Sequence, residues 1–243
     1  MIIKFLGTGA ADWNSTHTDM PERRRYTSTL IDGRLLIDQT ELIKDSLSEI
    51  QGVDALIYTH SHRDHFDIDF QKTIAPKAVY AEKSWAADAN AEPITPYVPF
   101  EAAGFEILPL PANHSTPRLS EQPLIYLIKG NGKTLLYATD GAWLLNGAYH
   151  AILSHKPLDA AVFDGTVGDA FPNDWRVFEH NTLPMVRTMR RSLIDMNALK
   201  PDAKVFVTHL ARTLHPSQTE LEENEKRLGG ELIICRDGMT AVI

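Results

Sequence analysis

His60, His62, Asp64 and His65 fall within six residues, in the run His60-Ser61-His62-Arg63-Asp64-His65. Three imidazoles packed this tightly repel one another as they take up protons. A bound divalent cation removes that conflict and holds the side chains together with the carboxylate. Donors of this kind, with no thiolate among them, suit Zn²⁺, Mn²⁺ or Fe²⁺. The competing reading is a solvated polar loop. Position favours the metal, because the cluster follows Ala55-Leu56-Ile57-Tyr58, an apolar run that reads as a buried strand. Ligands of α/β proteins gather beyond the carboxyl ends of strands.

Three more residues repeat the arrangement. His114 follows the strand-like run Phe105–Leu110, Asp140 ends Thr134–Ala138, and His209 ends Lys204–Val207. Singly, each reads as a turn or surface residue. Four strand ends that all present His or Asp point to one metal-binding edge.

The elements that must carry these ends alternate along the chain. Strands are expected at Ile2–Leu6, Ser28–Asp38 (a hairpin turning at Asp32-Gly33), Ala55–Tyr58, Ala78–Ala81, Phe105–Leu110, Pro123–Lys129, Thr134–Ala138, Ala160–Phe163, Lys204–Val207 and Leu232–Cys235. Asn131-Gly132 marks a second hairpin. Apolar residues at three- and four-residue spacing predict helices at Thr40–Ile50, Phe66–Ile74, Gly147–His155, Leu183–Met196 and Ser217–Arg227. Two longer loops, 8–27 and 165–181, have the length of functional segments. No linker or repeat interrupts the chain, so residues 1–243 read as a single α/β domain.

Bulk composition is that of a soluble globular protein, with 43% hydrophobic and 23% charged residues. The N-terminus has no signal-peptide pattern, and no apolar run reaches the ~20 residues that span a bilayer. The single cysteine, Cys235, excludes an intrachain disulfide and a cysteine-rich zinc ribbon. A cytoplasmic protein with no membrane partner is the default expectation. A net charge of −8 argues against a long nucleic acid as partner without excluding one, since local patches matter more.

The chain resembles the metallo-β-lactamase superfamily, from Phe5-Leu6-Gly7-Thr8-Gly9 to its last strands. The resemblance implies a four-layer αβ/βα sandwich with a dinuclear site at one edge of its sheets. His60, His62 and His114 match the ligands of a first divalent ion. Asp64, His65 and His209 match those of a second, Asp64 also counting in the catalytic set. Asp140 matches the bridging carboxylate. The cofactors implied are two ions of Zn, Mn or Fe, which together generate a hydroxide at neutral pH.

His180-Asn181-Thr182 is similar to the His-x-Thr motif of the superfamily's phosphodiesterases, where serine is common at the middle position. There the histidine donates a proton to the leaving oxygen and an acidic residue orients it. Asp164, in Val162-Phe163-Asp164-Gly165-Thr166, stands where that partner belongs. A helix-start polar residue is the plainer reading of His180. Within this group the nearest resemblance is to the cyclic phosphodiesterases of the phosphonate (carbon–phosphorus lyase) pathway, carried by Leu108-Pro109-Leu110, Asn113-His114-Ser115, Thr139-Asp140, Asp164, His180 and Thr208-His209. That family has a zinc-binding cysteine cluster near its N-terminus, and the 8–27 loop here contains no cysteine.

The resemblance thus implies metal-hydroxide attack on a small or cyclic phosphate ester. The alternatives are a tRNA 3′-end endoribonuclease, whose gripping arm has no counterpart here, a lactonase or thioesterase, and a non-catalytic metal-stabilised module. A homodimer is expected by analogy. Arg23-Arg24-Arg25, with Arg25 foremost, and then Arg118 and Arg176 could hold phosphate, against the reading of solvated loops. Asp38 is expected to support a ligand imidazole. His17 could line the cleft, while His150, His155 and His215 read as surface or turn residues. Gly7-Thr8-Gly9 reads as a tight turn, and Trp143 and Trp175 as core or cleft wall.

Overall fold

Ala55 and Ile57 face one side of their strand, Leu56 and Tyr58 the other, and all four are buried. A strand buried on both faces requires cover on both. The computed structural model, which describes residues 1–12 and 23–243, supplies it with two facing sheets and an outer layer of helices on each side. Of the expected functional residues, His17 lies outside the described residues.

The first sheet contains β1 (Ile2–Gly7), β2 (Ser28–Ile31), β3 (Leu35–Ile37), β4 (Ala55–Ile57), β5 (Val79–Glu82) and β6 (Glu92–Ile94). The second contains β7 (Phe100–Ala102), β8 (Phe105–Pro111), β9 (Leu124–Gly130), β10 (Lys133–Ala138), β11 (Leu158–Asp164), β12 (Leu199–Thr208) and β13 (Ile233–Ile234). The last strand, β14 (Met239–Val242), returns to the first sheet and pairs with β1. The helices are α1 (Leu47–Ile50), α2 (Ile68–Ile74), α3 (Asn146–Ser154), α4 (Leu183–Asp195) and α5 (Gln218–Arg227).

Three apolar layers hold these together. Between the sheets, Ile3, Phe5, Ile31 and Ile57 meet Phe105, Tyr137, Val162 and Phe206. Outside the second sheet, Phe163, Val205 and Val207 pack with Ile152 of α3, Val186 and Leu193 of α4, and Leu221 of α5. Outside the first, Leu36, Leu56 and Tyr58 pack with Ile50, Phe70, Ile74 and Trp85. The result is the expected four-layer sandwich. Among the described residues no helix is long and apolar enough to cross a membrane.

Topology fixes which strand ends meet. β10, β11 and β12 are parallel, and β9 runs antiparallel to both β8 and β10, so β8, β10, β11 and β12 all finish at one edge. The end of β4 is stitched to that edge across the sandwich. Leu124 N donates to Thr59 O at 2.8 Å, and the Tyr126 hydroxyl donates to Tyr58 O.

The sequence reading missed β6, β7 and β14, and all three are sheet-edge strands. An edge strand has one neighbour and a weaker burial pattern, and β6 carries Pro93, which cannot donate to a ladder. The predicted helix Thr40–Ile50 is a 3₁₀ turn, Glu41–Ser46, followed by the short α1. The 165–181 loop contains a further 3₁₀ turn, Trp175–Phe178.

Arg187, 7% exposed, ties α4 to α5 and to the 165–181 segment. Its Nη1 donates to Asp169 Oδ1 at 2.6 Å, and its Nη2 to Glu225 Oε2 at 2.7 Å. Arg187→Ala leaves the Glu225 carboxylate buried without its counter-charge, so it is expected to cost about 3–5 kcal/mol in urea denaturation. Arg187→Met with Glu225→Gln should recover most of this, because the neutral amide still accepts from Leu232 N (2.9 Å in the native chain). A double variant as unstable as the single one would refute the ion-pair account.

Candidate metal centre

His60 to His65 follow β4, His114 follows β8, Asp140 follows β10, Asp164 ends β11, and His209 follows β12. Asp140 and His209 leave their strands with φ of +56° and +58°, and Asp38, after β3, has +56°. A left-handed backbone at a non-glycine residue costs about 1–3 kcal/mol and persists only where the surroundings enforce it. Here it breaks the up-down alternation and lets strand-end side chains turn into a shared space.

The donor atoms converge in two groups. One holds His60, His62, His114 and Asp140, the other Asp64, His65, Asp140 and His209, and within each group all ligand atoms lie within 4.8 Å of one another. His60 Nε2 and His65 Nε2 each stand 3.1 Å from Asp140 Oδ2. His65 Nε2 is 3.3 Å from His209 Nε2, and His114 Nε2 is 3.3 Å from His62 Nδ1. Donors bound to one tetrahedral ion at ~2.0–2.1 Å lie roughly 3.3–3.4 Å apart, so these spacings suit shared coordination. Among the described residues, His60 Nε2 and Asp140 Oδ1 are buried and make no hydrogen bond. Buried polar atoms are rarely left so. The donor set, the spacings and these orphaned atoms fit divalent-metal binding.

Four of the remaining ring nitrogens have partners. His65 Nδ1 lies 2.8 Å from Asp38 Oδ2, and Asp38 also accepts from Thr59 N at 2.8 Å and Thr59 Oγ1 at 2.7 Å. His60 Nδ1 is 2.9 Å from Thr59 Oγ1. His209 Nδ1 is 2.8 Å from Thr166 Oγ1, and His114 Nδ1 is 3.3 Å from Glu179 O. Such outer partners fix which nitrogen faces the ion. Thr59, Thr166 and Glu121 gave no signal in the sequence, since none belongs to a metal or catalytic motif. Glu121 accepts from Ser61 N at 2.7 Å and Thr116 Oγ1 at 2.9 Å, joining the loops that carry His60, His62 and His114.

Burial is the strongest influence on His60 and pushes its imidazole down to about 3, so the ring stays neutral. Burial acts the same way on His209, but the carboxylates, Asp140 foremost, outweigh it and carry that ring up to about 9. His65 is likewise raised well above the usual range, burial being overcome by Asp64 and Asp38. Burial works to raise Asp140, yet the histidines around it hold its carboxyl well below the usual range.

His180 Nδ1 lies 2.9 Å from Asp164 Oδ2 and 3.1 Å from Asp140 Oδ1. Asp140, Asp164, His180 and His209 therefore form a third group of the same compactness. Thr182 accepts from Met185 N at 3.2 Å and so caps α4, fixing the start of the helix just after His180.

Other expected residues scatter. Arg176 lines the cleft with His62, Asp64, His114 and His180. Arg25 instead contacts Asp237 and Leu6 O, and Arg118 pairs with Asp88. Arg24, read as part of a solvated loop, is buried, with Nη1 on Thr8 Oγ1 at 2.7 Å and Cys235 O at 2.9 Å. His215 Nε2 donates to Gly165 O at 2.7 Å, which is a turn role. Trp143 and Trp175 are exposed rather than core.

Residues 27–210 match the profile of the beta-lactamase superfamily domain. No curated protein matches the sequence. Solved structures share the fold. Zn²⁺-bound PqqB from Methylobacterium extorquens is 18% identical, with 100% of each chain covered and a TM-score of 0.75. A diphosphatase from the PhnP family is 20% identical, covering 100% of this chain and 97% of that one at a TM-score of 0.72. Human tRNase Z, short form, is 17% identical, covering 100% and 99% at 0.68.

Two outcomes follow from this geometry. Metal uptake near neutral pH is expected to release protons, with affinity for Zn²⁺ rising with pH toward about 9, where His209 loses its proton. Calorimetry in buffers of differing ionisation enthalpy counts the protons, and none released would contradict the arrangement. Asp38→Ala is expected to weaken Zn²⁺ binding by about 10–100-fold in chelator competition, because His65 loses its orienting partner. Unchanged affinity would show that Asp38 only packs.

Proposed function

This chain belongs to the beta-lactamase superfamily, a membership that indicates a metal-dependent hydrolase, and we propose that it is a dinuclear phosphodiesterase acting on a small or cyclic phosphate ester. His60, His62 and His114 would hold one ion, Asp64, His65 and His209 the other, and Asp140 both. When bound, such ions supply positive charge to phosphoryl oxygens and acidify water to a nucleophile at neutral pH.

The observation that carries the reading is the His180–Asp164 contact of 2.9 Å beside that cluster. Asp164 is fully buried and accepts the Nδ1 proton, which sets the tautomer and leaves Nε2 as the exchanging nitrogen on a ring that lines the cleft. The ring stacks on His209 at 5.4 Å and 15°, which restrains its tilt. Burial alone lowers the basicity of His180, but Asp164 and Asp140 overcome it and hold the ring well above its usual range. Asp164 thus favours the protonated ring that a proton donor needs. Expelling an alkoxide benefits from such a donor by typically 10²–10⁴-fold, about 3–5 kcal/mol of barrier.

The cleft of about 220 Å³ suits a small substrate. Arg176 is the only lysine or arginine among its described lining residues, with Nη1 on Asp174 Oδ2 at 3.0 Å. One guanidinium accommodates an anion, whereas a long nucleic acid calls for a basic track. Asp64, also on the cleft wall, would serve the reaction by holding an ion there.

His180→Ala is expected to lower kcat by about 10²–10⁴-fold on diesters with an alkyl leaving group. The loss should be small with nitrophenyl, which departs without a proton, and metal content should not change. Equal losses on both esters would remove His180 from the donor role. Loss of metal would make it a ligand instead.

A further inference from the structure

Asn181 departs from the serine common at the middle of the resembled motif, and its surroundings give that departure a purpose. The side chain is 2% exposed. Its Nδ2 donates to Gly141 O at 2.8 Å, and its Oδ1 accepts from Trp143 N at 2.9 Å. Both polar atoms of the amide are thus spent on the turn that follows Asp140. That turn is strained, with φ of +56° at Asp140 and +37° at Trp143, neither of them glycine. It also borders a small cavity walled by Ala112, Ala138, Phe163 and Met189, so packing beneath it is incomplete. Hydrogen bonds therefore add to the packing of Ala142 and Leu144 in holding the turn.

The main chain of Asn181 is anchored as firmly. Its N donates to Asp164 Oδ1 at 3.2 Å, and its carbonyl accepts from Val167 N at 3.0 Å. Residue 181 thereby joins the loop after β10, with Asp140, to the start of the loop after β11, beside Asp164, and so closes the loop that carries His180.

We propose that Asn181 is a positioning residue that fixes the carboxylate of Asp140 in register with His180 and Asp164. A serine hydroxyl is one heavy atom shorter than this amide and reaches one of the two turn groups, not both. An aspartate keeps the acceptor for Trp143 N but turns a carboxylate oxygen toward Gly141 O, where two acceptors repel. The inference rests on the metal-site reading of Asp140 and requires no particular substrate.

The test compares wild type with Asn181→Ser and Asn181→Asp in three measurements: Zn²⁺ affinity by chelator competition, kcat and KM on an alkyl phosphodiester, and the urea midpoint of the metal-free protein. Zn²⁺ affinity is expected to fall by about 10-fold in Asn181→Ser and by up to about 100-fold in Asn181→Asp, the range seen when groups supporting ligands are removed. kcat should fall with it, and KM should move little. Should Asn181→Asp fail to fold, Asn181→Ser carries the test. Wild-type affinity and kcat in Asn181→Ser, with only the urea midpoint lowered, would overturn the proposal by making the residue merely structural. Weaker metal binding in the variants of a protein that cleaves no phosphodiester would sink the functional reading and leave the positioning role standing.

Discussion

The whole site is arranged around one buried carboxylate. Asp140 is 2% exposed, and nitrogens of His60, His65, His180, His209 and His114 lie between 3.1 and 3.6 Å from its oxygens. An ionised carboxylate removed from water is costly unless opposite charge compensates it. Five imidazoles compensate only while some carry protons, and charged imidazoles in turn repel one another. Divalent ions satisfy both demands together. The sandwich edge of this chain is therefore a place suited to binding something positive.

That requirement reaches back into the backbone. Asp38, Asp140 and His209 all adopt left-handed φ, and each is hydrogen-bonded or ion-paired on its inner side. The strain is distributed among strand ends whose strands are buried in the sandwich and cannot yield. Parallel β10, β11 and β12 hold their ends at one level, and the link from Leu124 to Thr59 brings β4 to the same level from the opposite sheet. Rigid layers thus let irregular loops bring the donor atoms of each group within 4.8 Å of one another.

How much of this was legible in the sequence follows from where the physical signal lies. Central strands such as Ala55–Ile57 and Leu158–Asp164 announce themselves because burial on both faces demands apolar runs. The edge strands Glu92–Ile94, Phe100–Ala102 and Met239–Val242 do not, since one side of their ladder has no partner and their apolar content is diluted. His and Asp at strand ends stand out because few side chains can bind metal. Their supporting cast does not. Thr59, Thr166 and Glu121 are ordinary polar residues whose importance comes from contacts across 60 or fewer positions that no local pattern encodes. Arg24 shows the converse error: three adjacent arginines look solvated, yet the middle one is turned inward onto Thr8 and Cys235 O.

The candidate ligands stretch from His60 to His209, drawing on both sheets and on nearly the last parallel strand. A growing chain emerging from the ribosome cannot assemble such a grip until β12 has been made and docked. The local His60–His65 run can meet a cation early, but the full set of donors exists only in the docked fold, so the grip it adds is a property of the native state. Interactions absent from the folding transition state leave the refolding rate alone and slow the escape from the native basin. Loading would lengthen the lifetime of the folded molecule, its resistance to slow inactivation and proteolytic attack, far more than it would hasten its birth.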